Sequence, residues 1–254
     1  MITNIIYNED CLVGMKRIPD KSIDMILCDL PYAITQNKWD VAINLDLLWA
    51  EYTRIIKSNG AIVLTAQTPF DKVLGASNIA WLKYEWIWVK NISTGYLHAN
   101  KMPLKQHENI LVFYKDLPVY NPQMKVGTPY IAKRKPINDN GSNYGKIVRT
   151  DTVNKGDRFP TSVIECDREV GLHPTQKPAA LFEYLIRTYT NEKDLVLDNC
   201  MGSGTTAIAC INANRRYLGF ETENIYYNVA LNRISKFRMN KEKAERAEKS
   251  VSLL

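Results

Sequence analysis

Short runs of apolar and β-branched residues alternate with stretches of helical spacing along most of this chain, and that alternation leaves few folds open. Strands interleaved with helices build a largely parallel sheet covered on both faces. Asn4–Tyr7 reads as a first strand, and Ser22–Cys28 as a second that stops at Asp29. Leu45–Lys57 places Leu45, Leu48, Trp49, Tyr52, Ile55 and Ile56 at helical spacing and ends at Asn59-Gly60, a helix stop. Gly60–Thr65 reads as a buried strand and Pro69–Ile79 as a helix. Tyr84–Val89 and Asn109–Tyr114 read as strands joined by a polar loop. Further on, helices at Pro178–Thr190, Thr205–Asn214 and Asn224–Phe237 alternate with strands at Asp194–Asp198 and Arg216–Glu221. The closing NKEKAERAEKS is charged all round, as an exposed helix end is.

One segment breaks the pattern. From Asp116 to Leu172, Pro, Gly, Asn and Lys are scattered without a long periodic run, as in an irregular insertion. Between Tyr120 and Pro160 eight Lys and Arg face three Asp, so this stretch supplies 8 − 3 = +5 of the chain's net charge of +6. A basic excess so concentrated permits a nucleic-acid partner. The 254 residues suit one large domain with an insertion, and 45% hydrophobic with 24% charged residues exclude disorder. The five cysteines, Cys11, Cys28, Cys166, Cys200 and Cys210, form no C-x-x-C pair, so neither a disulfide framework nor a metal site is expected. No apolar stretch reaches the ~18–20 residues of a membrane span, and the first residues lack the features of a signal peptide. A cytoplasmic location and no membrane partner are expected.

Two strand ends carry chemistry. Asp198-Asn-Cys-Met-Gly202-Ser-Gly204-Thr205-Thr206-Ala207 joins a strand to a helix, and Glu221 closes the following strand 221 − 202 = 19 residues later. Glycines at such a turn let backbone approach a ligand, while an acid at the next strand end can hold ribose hydroxyls. This geometry suits any adenosine-containing cofactor and does not by itself separate NAD from S-adenosylmethionine. Only 254 − 221 = 33 residues follow Glu221, too few to complete a dinucleotide fold, so the remaining strands come from the N-terminal half. The chain is then circularly permuted, with a second functional strand end upstream. That end is Asp29-Leu30-Pro31-Tyr32. Asp29 can accept a hydrogen bond from an amino group, Pro31 pushes Leu30 toward an extended shape that frees its carbonyl, and Tyr32 offers a face for stacking a base. Ligands collect outside the carboxyl ends of parallel strands, so Asp29 and Asp198 are expected to face one crevice.

Asp29-Leu-Pro-Tyr32 resembles the D-P-P-Y motif of amino-group DNA methyltransferases, and Asp198–Thr206 resembles their D-P-F-x-G-S-G-T-T cofactor loop. The order, catalytic motif first and cofactor loop last, is that of the β-class enzymes. Asn8-Glu-Asp10-Cys11-Leu is similar to the family's acidic motif at the cofactor adenine, His107-Glu108 to its H-E-x-I-L-x-F segment, and Leu172-His173-Pro-Thr175-Gln-Lys177-Pro178 to its H-P-T-Q-K-P segment. The resemblance covers about 1–115 and 172–235. Leu30 stands where the family has its first proline, and Asn199-Cys200 where it has Pro-Phe, with Met201 or Cys200 to fill the aromatic's space.

The resemblance implies a doubly wound, mostly parallel seven-stranded sheet with a catalytic half at 1–115, an inserted target-recognition region at 116–172, a cofactor-binding half at 173–240 and a charged tail at 241–254. It implies S-adenosylmethionine as cofactor and Asp29, Leu30, Pro31 and Tyr32 as the catalytic residues. Cofactor contacts fall to Asp10, Cys11, His173, Thr175, Lys177, Asp198, Cys200, Gly202, Gly204, Thr205, Thr206 and Glu221. Lys133, Arg134, Lys135, Lys146 and Arg149 are the expected contacts to double-stranded DNA. Trp39 reads as core or as a second wall for the extruded base, and His107 and Glu108 as organisers of a turn at Lys105–Glu108. Family members acting on cytosine more often begin the motif with serine, so Asp29 favours the N6 amino group of adenine. The alternatives are an N4-cytosine enzyme, a non-catalytic DNA-binding protein that keeps the fold, and a nicotinamide-dependent oxidoreductase that the glycine loop and Glu221 alone would allow. A homodimer and a cognate restriction nuclease stay open, since a solitary modification enzyme and half of a restriction pair read alike.

Overall fold

The computed structural model describes residues 2–32, 43–133, 151–169, 171 and 176–251. Trp39, Arg134, Lys135, Lys146, Arg149, His173 and Thr175 lie outside the described residues. In chain order the elements are β1 (Ile5–Tyr7), α1 (Cys11–Met15), β2 (Ile23–Asp29), α2 (Leu45–Ile55), β3 (Ile56–Ala66), α3 (Phe70–Ser77), β4 (Leu82–Thr94) and β5 (Lys105–Phe113). There follow β6 (Lys125–Val126), β7 (Tyr130–Ala132), β8 (Thr152–Asn154), β9 (Asp157–Arg158) and β10 (Val163–Glu165). Last come α4 (Ala179–Tyr189), β11 (Leu195–Asp198), α5 (Thr205–Ala213), β12 (Arg216–Phe220) and α6 (Asn224–Val251).

The chain divides into two compact units, one of Met1–Asn121 with Ser162–Leu254 and one of Pro122–Thr161. The first is built on an eight-stranded sheet in the order β1-β12-β11-β2-β3-β5-β4-β10. Every neighbouring pair is parallel except those of β5, which runs antiparallel to both β3 and β4. Seven strands are expected from the sequence. The eighth is β10, whose three residues pair with Ile87, Trp88 and Val89 of β4. So short a strand leaves no periodic trace, and its flanks look irregular. Lys105–Glu108, read as a turn, is the start of β5. The charged tail continues α6.

Period-two alternation sorts the strand side chains into two cores. Met25 and Leu27 of β2, Ala61 and Val63 of β3, Ile110 and Val112 of β5, and Val196 of β11 pack on α4, α5 and α6. Ile26 and Cys28, Ile62 and Leu64, Leu111 and Phe113, and Leu195 and Leu197 pack on α1, α2 and α3. The result is three layers with the sheet in the middle. The helices carry the caps their sequences announce: Asp10 accepts from Val13 N at the start of α1, and Asn44 from Leu47 N at the start of α2.

The second unit holds two short antiparallel ladders, β6 with β9 and β7 with β8. The sequence shows no regular periodicity there, and strands of two or three residues explain why. The Arg158 guanidinium lies 4.8 Å from the centre of the Tyr130 ring. Lys133 is exposed, three residues after the start of β7.

Gly14 on α1 faces the buried Phe220 of β12 so closely that a Cβ there would run into the ring. Alanine gains about 1 kcal/mol over glycine as a helix former. Overpacking a rigid ring costs about 1–3 kcal/mol, so the clash wins. Gly14→Ala is expected to lower stability in urea denaturation, and a stabilised variant would contradict this packing.

Candidate active site

Alternation also dictates which polar groups meet at the carboxyl edge of the sheet. Asp29 follows Met25 and Leu27 on one face, Thr65 follows Ala61 and Val63, Glu108 shares parity with Ile110 and Val112, and Lys90 with Trp86 and Trp88. These four therefore point to the face that α4 covers, and their strands are successive neighbours, β2-β3-β5-β4. Asp29 is in register with Thr65, and Glu108 with Trp88. Lys177, two residues before α4, descends onto this row.

Lys177 is the joint. Its Nζ donates to Asp29 Oδ2 at 2.7 Å and lies 3.2 Å from Glu108 Oε2. Glu108 Oε1 receives Lys90 Nζ at 2.5 Å and Gln67 Nε2 at 2.8 Å. Lys90, Glu108 and Lys177 are each no more than 6% exposed, so these charges are removed from water and must satisfy one another. Burial alone would raise the Glu108 carboxyl, but Lys177 and Lys90 outweigh it and hold the carboxyl below its ordinary range. Burial alone would lower the Lys177 ammonium, and Asp29 and Glu108 outweigh that and raise it. The other oxygen of Asp29, Oδ1, accepts from the Tyr32 hydroxyl at 2.7 Å and from the Thr65 hydroxyl. Tyr32 is stacked on Phe70, centroids 5.2 Å apart at 29°, and Lys177 Nζ sits 5.7 Å from its centroid. Burial, with Asp29 and Glu108 nearby, pushes the Tyr32 hydroxyl well above its ordinary pKa.

Further along the same edge, on the strand beside β2, lies the glycine loop. Asp198 ends β11, the parallel neighbour of β2, with the parity of Val196 and hence on the face of Asp29. The two carboxylates therefore share one edge and one face. Asp198 itself is buried, with Oδ1 accepting from Cys200 N at 3.0 Å and Oδ2 from the Thr206 hydroxyl. Gly202 and Gly204 take φ of 53° and 82°, the left-handed region that a side chain disfavours. A Cβ at Gly204 would press on Ala230 of α6, whereas one at Gly202 would meet nothing closer than 4.0 Å. Glu221 receives Gly202 N on Oε2 at 2.7 Å and Glu223 N on Oε1 at 2.8 Å, and burial raises its carboxyl. Asp10 is exposed at the head of α1, while Cys11 is buried with its sulfur 3.6 Å from Asn199 Nδ2. Thr205 donates to Lys177 O at 3.3 Å and accepts from Arg233 at 3.0 Å, tying the loop to the segment that carries Lys177.

Asp29, Tyr32, Lys177, the glycine loop and Glu221 are thus gathered along one edge, with Leu30 buried beneath and Pro31 half-buried. Lys133 belongs to the other unit. Sequence reasoning missed Thr65, Lys90, Gln67 and Phe70, and gave Glu108 no place beside Asp29. The signal was available: Thr65 and Lys90 each end a run of alternating core residues with a polar group on the buried parity. Among the described residues no cluster of three His, Cys, Asp or Glu is placed to hold a metal, and no helix is long and apolar enough to cross a membrane.

The family model for N6/N4 DNA methylases matches residues 23–232. The DNA adenine methyltransferase YhdJ of Escherichia coli K12 is 29% identical over 245 residues, 90% of this chain and 82% of that protein. The type II methyltransferase M.BglII of Bacillus subtilis is 28% identical over 257 residues, 89% of this chain and 68% of that one. Among solved structures, the M1.HpyAVI–SAM complex superposes with a TM-score of 0.60 at 27% identity, covering 90% of this chain and 98% of that one.

Burial pushes the Asp198 carboxyl up to about 6, against the opposing pull of Thr206 and the Cys200 amide. Its folded value exceeds its unfolded value, so ionising it works against folding. Its stabilising share is complete below about pH 4 and is lost as pH rises through about 6. The rise from the ordinary carboxylate value to about 6 corresponds to about 3 kcal/mol. Asp198→Asn abolishes the ionisation, so its stability relative to wild type, measured by urea denaturation, is expected to improve by up to that amount from about pH 4 to about pH 7. A relative stability that stays flat across this window would contradict the buried ionisation.

Proposed function

This chain belongs to the N6/N4 DNA methylase family, and we propose that it transfers a methyl group from S-adenosylmethionine to the N6 amino group of adenine in duplex DNA. The observation that carries this reading is the shared edge and face of Asp29 and the glycine loop. The residues fit the cofactor. A Cβ-sized space at Gly202 admits a ligand against backbone, and Glu221, which accepts from Gly202 N, sets a carboxylate beside it suited to hydroxyls; Asp10, exposed at the head of α1, is the second acid assigned to the cofactor. Asp198 and Thr206 shape the loop from within, since their polar atoms are spent on each other and on Cys200 N. When bound, the cofactor supplies an electrophilic methyl on a sulfonium.

Conjugation with the ring makes the exocyclic nitrogen of adenine a weak nucleophile. Asp29 and the Leu30 carbonyl accept its two hydrogens, draw it toward a pyramidal shape and stabilise the positive charge that develops, which is electrostatic catalysis. The base must leave the duplex to reach them, and Tyr32 provides the face on which it stacks. Tyr32 stacks on Phe70, has the Lys177 ammonium near its ring and donates to Asp29, so the arriving base displaces contacts already made. The amino group takes over one of the two Asp29 oxygens that Tyr32 and Lys177 occupy, its other hydrogen going to the Leu30 carbonyl, and Lys177 retains Glu108 as its partner. No covalent intermediate is involved. The acidic start of the motif at Asp29 favours adenine over cytosine, and the likeness to the DNA adenine methyltransferase YhdJ points the same way. Target recognition falls to the inserted region at 116–172, where the basic excess lies, with Lys133, Arg134, Lys135, Lys146 and Arg149 as contacts to the duplex.

Digestion of DNA treated with enzyme and labelled cofactor is expected to yield label in N6-methyl-2′-deoxyadenosine. Asp29→Ala is expected to lower that rate by at least about 10²-fold, in line with loss of a preorganised acceptor, while cofactor binding persists. Label in N4-methylcytosine would overturn the adenine reading, and an undiminished Asp29→Ala rate would overturn the mechanism.

A further inference from the structure

From Trp86 to His107 the chain carries Lys90, Lys101 and Lys105 and not one carboxylate. Lys90 is consumed in the buried ion-pair row. Lys101 and Lys105 are exposed and have no carboxylate partner among the described residues. They belong to a segment, Gly95–His107, that is exposed throughout. Its apolar members are large: Leu97 is 96% exposed, Tyr96 63% and Met102 51%. A solvated loop has no use for three such side chains within one short segment, and exposed large apolar residues beside unpaired cations mark binding surfaces.

The register places this segment. Val89 pairs with His107 and Thr94 with Lys105, just beyond Trp88 and Glu108, so the β4–β5 connection rises from the edge that carries Asp29 and Thr65. Three strand spacings separate β4 from β2, roughly 14 Å, comparable with the ~12 Å width of a DNA major groove. A duplex delivering a base to Asp29 therefore lies against this loop. Cations without anions select a polyanion, and an apolar tip at that position suits the gap left by an unstacked base.

We propose that Gly95–His107 is a contact surface for duplex DNA, with Lys101 and Lys105 on phosphates and Leu97 entering the space that the extruded base leaves. The role of Leu97 rests on the methylation reading above; the phosphate contacts do not. A fluorescent duplex of about 30 base pairs of mixed sequence, titrated between about 50 and 200 mM salt, tests the lysines. The variant Lys101→Gln/Lys105→Gln is expected to flatten the logarithmic salt slope by about 1.8, near 0.9 for each phosphate no longer neutralised, with cofactor binding unchanged. An unchanged slope overturns the phosphate contacts. Single-turnover methylation of unmodified genomic DNA tests the wedge. Leu97→Ser is expected to slow methyl transfer about tenfold or more at saturating DNA, and Leu97→Met to stay near wild type. Because Leu97 is solvent-exposed, thermal unfolding should not change. A Leu97→Ser rate within about twofold of wild type overturns the wedge. Wild-type protein that methylates no DNA base overturns both the wedge and the methylation reading, and the salt slopes still decide whether the surface binds DNA.

Discussion

The Lys177 ammonium, held between Asp29 and Glu108 and shut away from water, is the interaction on which the edge of this sheet depends. The buried Glu108 and the partly buried Asp29 converge and repel each other, and Glu108 alone would carry a desolvation cost of several kcal/mol. Lys177 makes the pairing tenable, and Lys90 balances the charge, since two ammoniums then face two carboxylates. Removing one member of such a set costs about 3–5 kcal/mol, whereas an exposed pair such as Arg17–Glu9 contributes about 0–1 kcal/mol. The row also fixes the chemistry. It keeps Asp29 an acceptor at a defined place, with Thr65 and Tyr32 on one oxygen and an exchangeable ammonium on the other.

Much of this was legible in the chain itself. Alternating strands and helices specified a mostly parallel sheet, and Asp29 and Asp198 both end strands that run side by side in the same direction. The two glycines with positive φ sit where the loop sequence required them. What the sequence hid was of two kinds. Strands of two or three residues, such as β6, β9 and β10, bury too little to leave a periodic signature. The ion-pair row joins residues distant in the chain, so Lys177 and Glu108 each look like members of a local motif. Their meeting follows only once strand order and side-chain parity are known. Thr65 and Lys90 were the exceptions, polar groups on a buried parity whose meaning lay in the alternation.

The cofactor loop illustrates how a departure from a family pattern is absorbed. Asn199, standing where the family has proline, is buried and accepts the Tyr52 hydroxyl of α2, while its amide nitrogen approaches the sulfurs of Cys11 and Cys200 at 3.6 and 3.4 Å. Met201 is buried against Gly219 of β12, a contact a Cβ at that glycine would prevent. The loop thus exchanges proline's stiffness for tethers to α1, α2 and β12, and Cys200 and Met201 occupy the space beside it. Burial pushes the Cys28 thiol up to about 12, the neighbouring Cys200 sulfur and then burial raise that of Cys11, and Cys28 and burial raise that of Cys200 against the opposing pull of Cys11, so these sulfurs act as packing rather than as nucleophiles.

The most direct measurement of the central claim is a double-mutant cycle on the methyl-transfer rate, with Lys177→Met, Glu108→Gln and both together. Lys177→Met leaves Asp29 and Glu108 to repel each other; neutralising Glu108 as well relieves that repulsion. The account therefore predicts a double variant faster than the product of the single effects, with a coupling of about 1–3 kcal/mol. Independent, additive losses would show that Lys177 does not act through the pair of carboxylates it joins.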